Sequence, residues 1–218
     1  MNVRRGFGLA LTVLATASAP ALAAKLSAQS MELEGRVDAR ILTRVEPVFA
    51  AAARDSLPMD VLRAKVLEGA TKNRPPELIA RVVTDLAEDL RATRTALRER
   101  LPDAAISGRE LAAASLARGQ GVPMESLADL WSSRPAGGSL QIPVTVLGEL
   151  VRRGVPPDEA SAVMRHIIDT GVPLERAAQI PGRLDGVTRP DVAPPEALER
   201  ALRDLDIPAP PAGRGPGG

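Results

Sequence analysis

The chain has 218 residues and a formal net charge of +1, with 28 Lys and Arg residues against 27 Asp and Glu residues. It contains no cysteine, which excludes disulfides, thiolate metal sites, a cysteine nucleophile and a lipidated N-terminal cysteine. The near-neutral charge gives no electrostatic reason to expect binding to nucleic acid or to an anionic membrane. Aromatic residues make up only 1% of the chain. A core without aromatics must be built from Leu, Val, Ile and Ala, which suits short, closely packed helices.

The N-terminus, residues 1–23, is predicted to be a signal peptide. Arg4 and Arg5 precede an apolar run from Phe7 to Ala17, and Ala21-Leu22-Ala23 has the small-X-small pattern of a cleavage site. We therefore expect an exported protein, periplasmic or extracellular, after cleavage near Ala23. An uncleaved membrane anchor is the alternative. No later segment is apolar enough to cross a membrane, so no stable span is expected after cleavage.

Residues 24–192 are predicted to form a helical-repeat domain. In its first helix Leu33, Val37, Ile41 and Val45 recur at four-residue steps, and Pro47 is expected to restart the helix. A long helix is expected from about Pro76 to Arg100. Its predicted buried stripe contains Leu78, Ile79, Val82, Val83, Leu86, Leu90 and Leu97.

The phrase Pro-X-acidic predicts the helix starts. Proline is tolerated at the first helical position, and an acidic side chain two residues later faces the positive end of the helix dipole. In three cases Gly-Val comes first, so that Gly can take the left-handed position that ends the previous helix. The phrase begins at Pro58, Pro75, Pro123, Pro156, Pro173 and Pro194. A further start is the Ser-X-X-Glu capping box from Ser107 to Glu110.

The spacing of these starts predicts an all-α fold. Pro58 to Pro75 and Pro156 to Pro173 are both 17 residues, and no segment alternates as a strand would. We expect a single stack of short helices, an irregular α-solenoid-like arrangement with about one helix per 17 residues. Loops are predicted at 101–106, 132–141 and 181–191.

The C-terminal end divides into two predicted parts. Residues 193–207 are expected to form a capping helix, with Leu198, Leu202 and Leu205 on one stripe. Residues 208–218 are almost all Pro, Gly and Ala, and are expected to be a disordered tail.

Lys65, Glu68 and Lys72 are the first candidate partner-binding residues. Two of the three lysines of the mature chain lie here, at i,i+3 and i,i+4 spacing to a carboxylate. One interpretation is a solvated charged face. The other is a recognition patch for an anionic group.

Trp131 and Arg134 are the second candidates. An aromatic residue near an arginine in a flexible loop can clamp a ligand or a partner. The alternative is that Trp131 covers the core at a helix end.

No catalytic, cofactor-binding or metal-binding residue is predicted. His166 has Asp169 within reach but no nucleophile, and a chain with one His and no Cys offers no second soft ligand for a metal. Phosphate-loop, nucleophile-elbow and His-Glu-X-X-His motifs are absent from the sequence.

The segment from Leu57 to Ile79 resembles a segment of uncharacterised exported bacterial proteins with helical repeats. Their pattern is Leu-Pro, then Leu-X-X-Lys-X-X-Glu-Gly, then Lys, then Pro-Pro-Glu-X-Ile. The matching positions are Leu57, Pro58, Leu62, Lys65, Glu68, Gly69, Lys72, Pro75, Pro76, Glu77 and Ile79. The later text from Ile142 to Ala162 is similar to such proteins as well. The resemblance implies export and helical repeats, and it implies no activity.

Three hypotheses of function remain. The first is an exported module that binds an unknown protein or peptide on a helix-lined concave face. The second is a cell-envelope hydrolase, or an accessory of one, that uses carboxylates not identified by the sequence. The third is a carrier of an apolar ligand held between helices. A convergent carboxylate pair in a cleft favours the second, and a closed apolar cavity the third. An open surface with neither favours the first.

Overall fold

A computed structural model describes residues 35, 37–135, 137–189 and 192–211. The predicted signal peptide and residues 212–218 of the predicted tail lie outside these ranges. The helices in chain order are α1 Ala39–Arg54, α2 Met59–Thr71, α3 Pro76–Arg100, α4 Gly108–Gly119, α5 Met124–Ser132, α6 Gln141–Arg152, α7 Pro157–Asp169, α8 Leu174–Ala177, α9 Ile180–Val187 and α10 Pro194–Asp204.

The predicted all-α class is confirmed, since the described ranges contain helices and connecting turns and no strand. The helices pack as a stack, whereas a regular solenoid repeat stays a prediction. Within the same ranges, no helix is both long and apolar enough to span a membrane.

The Pro-X-acidic phrases do begin helices, but the first proline usually lies one position earlier than predicted. Pro58, Pro75, Pro123, Pro156 and Pro173 are N-cap residues with extended ψ values between 97° and 150°. The fixed φ of proline suits this half-helical position as well as it suits the first turn. Only in α10 does the phrase begin at the first helical residue, Pro194.

Six helix ends share one turn. The residue after the C-cap has a positive φ, and the N–H of the next residue donates to the carbonyl five residues earlier, as in Val122 to Ala117 at 3.0 Å. This is the Schellman motif. Glycine holds the left-handed position at Gly121, Gly154 and Gly171, as predicted. Polar residues hold it at Ser56, Asn73 and Asp206.

Two local predictions are wrong. Helix α1 runs through Pro47 without restarting, because Val45 and Phe49 are buried on either side and hold the helix across the missing hydrogen bond. The predicted loop at 181–191 contains α9. Pro181 lies in the first turn of that helix, where no N–H is needed, and Ile180 and Leu184 are buried.

Helix α3 is the centre of the N-terminal half. Helices α1, α2 and α4 all pack against it, while α4 also packs on α6, and α6 on α7. At the other end α10 packs on α9 and buries Leu198, Leu202, Leu205 and Ile207. That arrangement suits a cap, although the capping role itself stays a prediction. Helices α2 and α4 therefore both pack against α3, and this arrangement forms the groove described below.

Candidate functional site

A wide groove lies over α3, between α2 and α4. Leu86 and Leu90 of α3 form its floor, and Gln141 and Thr145 of α6 contribute to its lining. Its volume is about 740 Å³. The walls approach each other at the start of both helices, where a methyl group on Gly108 would lie 3.1 Å from Cβ of Pro58. The groove is therefore closed at that end.

A narrow groove continues from the wide one along the α2–α3 hairpin. Its volume is about 450 Å³. Lys65 and Glu68 line both grooves, so the two are neighbours that share a charged border. The rest of the narrow groove is lined by Gly69, Lys72, Arg74, Leu78, Ile79 and Val82.

Large apolar side chains are exposed at these grooves. Leu116 on α4 is 55% exposed, Leu78 41% and Val82 37%. Leu116 lines the wide groove, and the other two line the narrow one. The predicted buried stripe of α3 includes Leu78 and Val82. That prediction is wrong because the stripe is wider than the contact with α2, and its outer edge faces the groove.

Lys65, Glu68 and Lys72 form a continuous ion-paired row on α2. Lys65 Nζ donates to Glu68 Oε2 at 2.8 Å, and Lys72 Nζ donates to Oε1 at 2.6 Å. These hydrogen bonds, from Lys65 first and then from Lys72, lower the pKa of Glu68 to about 2. All three side chains are well exposed. Both partners of Glu68 belong to its own helix, so the row joins no other element to α2.

Other residues of the Leu57–Ile79 segment have packing roles. Leu57 and Leu62 are buried in the core. A methyl group on Gly69 would lie 2.7 Å from Cγ1 of Ile79, so the glycine lets α2 and α3 approach closely. Glu77 pairs with Arg44 of α1 at 2.7 Å. The ion pairs of the charged row, by contrast, all lie within α2 and its C-cap.

Trp131 and Arg134 do not line either groove. Trp131 is only 5% exposed, and the Arg134 guanidinium lies 5.9 Å from the centroid of its ring. Arg134 also donates to the carbonyl of Ala105 at 2.7 Å and pairs with Glu110. These contacts fit the alternative that Trp131 covers the core, with Arg134 fastening the loop beside it.

Glu110 is the centre of that second charged cluster. It is 3% exposed and completes the capping box with Ser107, and its Oε1 also accepts the N–H of Leu140, the N-cap of α6, at 2.9 Å. Burial by itself raises the pKa of the Glu110 carboxyl. The N–H groups of Leu140 and Ser107, the Ser107 hydroxyl and Arg134 outweigh that effect and hold the pKa below its usual value. The Ser-X-X-Glu motif revealed the cap, whereas nothing in the sequence revealed the two distant partners.

The remaining candidates for chemistry in the described ranges are His166 and groups of metal-ligating side chains. His166 is half-buried, and its Nε2 makes no hydrogen bond there, so that atom is not oriented by Asp169. No group of three or more His, Asp or Glu side chains in these ranges is placed to hold a metal ion.

Comparison with known proteins leaves the site to be interpreted from its own geometry. The chain matches no family model, no curated protein and no solved structure.

Proposed function

We propose that this protein is an exported interaction module that binds a segment of another protein in the groove between α2 and α4. One observation carries the proposal. Leu78, Val82 and Leu116, the most exposed large hydrophobic residues of the described ranges, all border the two connected grooves. Apolar side chains gathered on one concave surface are typical of a site that another chain covers.

The groove supports binding of a protein segment better than it supports catalysis. Among its carboxylates, Glu68 accepts from two ammonium groups and has a pKa of about 2, so it is ionised at neutral pH and poorly suited to donate a proton. Its exposed lining also differs from the enclosed apolar cavity that a carrier of a small apolar ligand would use. The signal-like N-terminus supports a location outside the cytoplasm.

Site-specific photo-crosslinking in the native host tests the proposal. A benzoylphenylalanine residue placed at Val82 or at Leu116 should crosslink to the same protein. The same residue at Arg165, an exposed position on α7, should not give that product. Export is checked by the intact mass of the protein recovered from outside the cytoplasm. That mass should correspond to a chain that begins at Ala24.

A second variant separates specific docking from chance proximity. Leu116→Asn shortens the apolar wall at an exposed position, so the fold should survive, and it should reduce the crosslink from Val82 severalfold. Crosslinks of equal yield from Arg165, or a Val82 crosslink insensitive to Leu116→Asn, would contradict the proposed function.

A further inference from the structure

The shape of the groove matches a helix. Along α3 the lining residues Leu78, Val82, Leu86 and Asp89 recur at steps of four, four and three, so they form one stripe. At 1.5 Å per residue, this stripe is about 17 Å long. Helices α2 and α4 border it on two sides. A further helix of about three turns would fill the position that these three helices leave open.

The charges of the groove differ between its two walls. On the α2 side the narrow groove carries Lys65, Lys72 and Arg74 against one carboxylate, Glu68, an excess of two positive charges. Glu68 uses one N–H of each lysine, and an ammonium has three, so both lysines can still donate to a ligand. The α4 side presents Leu116 and small alanines, and its one cation, Arg109, lies in the first turn of α4. A ligand that fits both walls has an apolar face with acidic residues along one flank.

The spacing of the cations distinguishes a chain of carboxylates from a single anion. The Cα atoms of Lys65 and of Lys72, the C-cap residue of α2, are two helical turns apart, about 10 Å along the axis, and Glu68 lies between them. Their ammonium groups already converge on the Glu68 carboxylate, so a single phosphate or terminal carboxylate held between them would meet that negative charge. Asp60 and Asp89 line the wide groove and would repel a phosphate backbone. Several Asp or Glu side chains on one helix suit this row best.

We infer that the groove binds an amphipathic helix of a partner protein, about three turns long, whose apolar stripe is flanked by Asp or Glu residues that face Lys65 and Lys72. The inference rests on the proposed function and specifies its partner. The acidic flank of that helix runs along Lys65 and Lys72, with one end of the helix beside Arg74 and the other toward Asp60 and Asp89. Recognition by such a surface combines an apolar groove with flanking charges that select the partner.

A pair of stapled 12-residue helical peptides tests the inference by fluorescence polarisation. Both carry leucines on one face, and they differ only in having Glu or Gln on one flank. The Glu peptide should bind the full mature chain about five- to tenfold more tightly, the range expected for two partly exposed charge pairs. That preference should shrink as salt is raised.

Two double variants locate the preference. Lys65→Gln with Lys72→Gln should abolish it. Arg165→Gln with Arg183→Gln removes the same charge from exposed positions on α7 and α9, and should leave it unchanged. Leu116→Asn should weaken both peptides equally, because it changes only the apolar wall.

The outcomes separate this inference from the proposed function. Equal binding of both peptides, a preference that survives Lys65→Gln with Lys72→Gln, or binding of neither peptide overturns the acidic helix as the ligand. Binding to phosphatidylglycerol vesicles with loss of peptide binding would overturn it in favour of a membrane surface. The proposed function would then still stand on the crosslinks from Val82 and Leu116, and it fails only if those crosslinks fail.

Discussion

Glu68 and Glu110 are both ionised carboxylates with lowered pKa values, but their partners lie in different places. The partners of Glu68 are three and four residues away on the same helix, and the cluster is exposed. Those of Glu110 include Arg134 and Leu140, 24 and 30 residues away, and the carboxylate is buried. A carboxylate that joins distant elements holds the fold, whereas one paired within its own helix leaves its surface available for binding.

The buried cluster should give the largest effect on stability. Glu110→Gln leaves the Arg134 charge without its partner and weakens the acceptor for Leu140, so we expect the free energy of unfolding to fall by about 2 to 4 kcal/mol in urea denaturation. Glu68→Gln is the matched control at the exposed cluster and should leave the urea midpoint nearly unchanged. Equal losses in the two variants would contradict the contrast between them.

The pH dependence of the Glu110 effect has a defined direction. Because folding lowers the pKa of Glu110, its stabilisation is complete above the ordinary carboxyl pKa of 4.5 and is lost as the pH falls through the folded-state pKa. The difference in stability between the wild type and Glu110→Gln should therefore shrink in acid. A difference that grows on acidification would show that the carboxylate is not the stabilising form.

The helices that Glu110 connects, α4 and α6, also pack against each other, which gives a second, smaller test. A methyl group on Gly148 of α6 would lie 3.0 Å from Cα of Ala117 in α4, and closer still to the side chain of Gln120. Gly148→Ala should destabilise the protein by about 1 to 3 kcal/mol through overpacking, measured by thermal or urea unfolding.

A glycine without neighbours is the control. Gly182 in α9 has open space around its Cα, so Gly182→Ala should stabilise the helix by about 0.5 to 1 kcal/mol. If Gly148→Ala were as well tolerated as Gly182→Ala, the contact between α4 and α6 would be looser than the structure indicates.

Local patterns predicted most of the helix boundaries because caps depend on neighbouring residues. Gly-Val-Pro predicted three helix ends, and the same turn at Ser56-Leu57-Pro58 and Asn73-Arg74-Pro75 went unrecognised because serine and asparagine replace the glycine. Both residue types are short and polar, and asparagine is well known to adopt a positive φ. That signal was present in the sequence, next to the proline.

Features that depend on distant residues could not be predicted from local patterns. The lysine row was recognised by its spacing within one helix. The groove beside it requires both α2 and α4 to pack against α3, and Leu116 lies more than 40 residues after Lys72 in the chain. The residue types of Trp131 and Arg134 suggest a clamp, but the position of Arg134 depends on Glu110, 24 residues earlier, for which the sequence predicts only a helix cap.

Removing both lysines of the exposed row should have the smallest effect on stability, but it should change the pKa of Glu68 strongly. Lys65→Gln with Lys72→Gln removes both donors to Glu68, so the pKa of its carboxyl should rise from about 2 toward the ordinary 4.5, followed by NMR titration of the side-chain carboxyl carbon. The ion pairs are complete above about pH 4.5 and are lost as the pH falls through about 2. Because both partners are exposed and belong to one helix, Tm at neutral pH should change by no more than about 2 °C. A much larger fall in Tm would mean that the row supports the hairpin, and it would then be a structural device like the Glu110 cluster rather than a surface available for a partner.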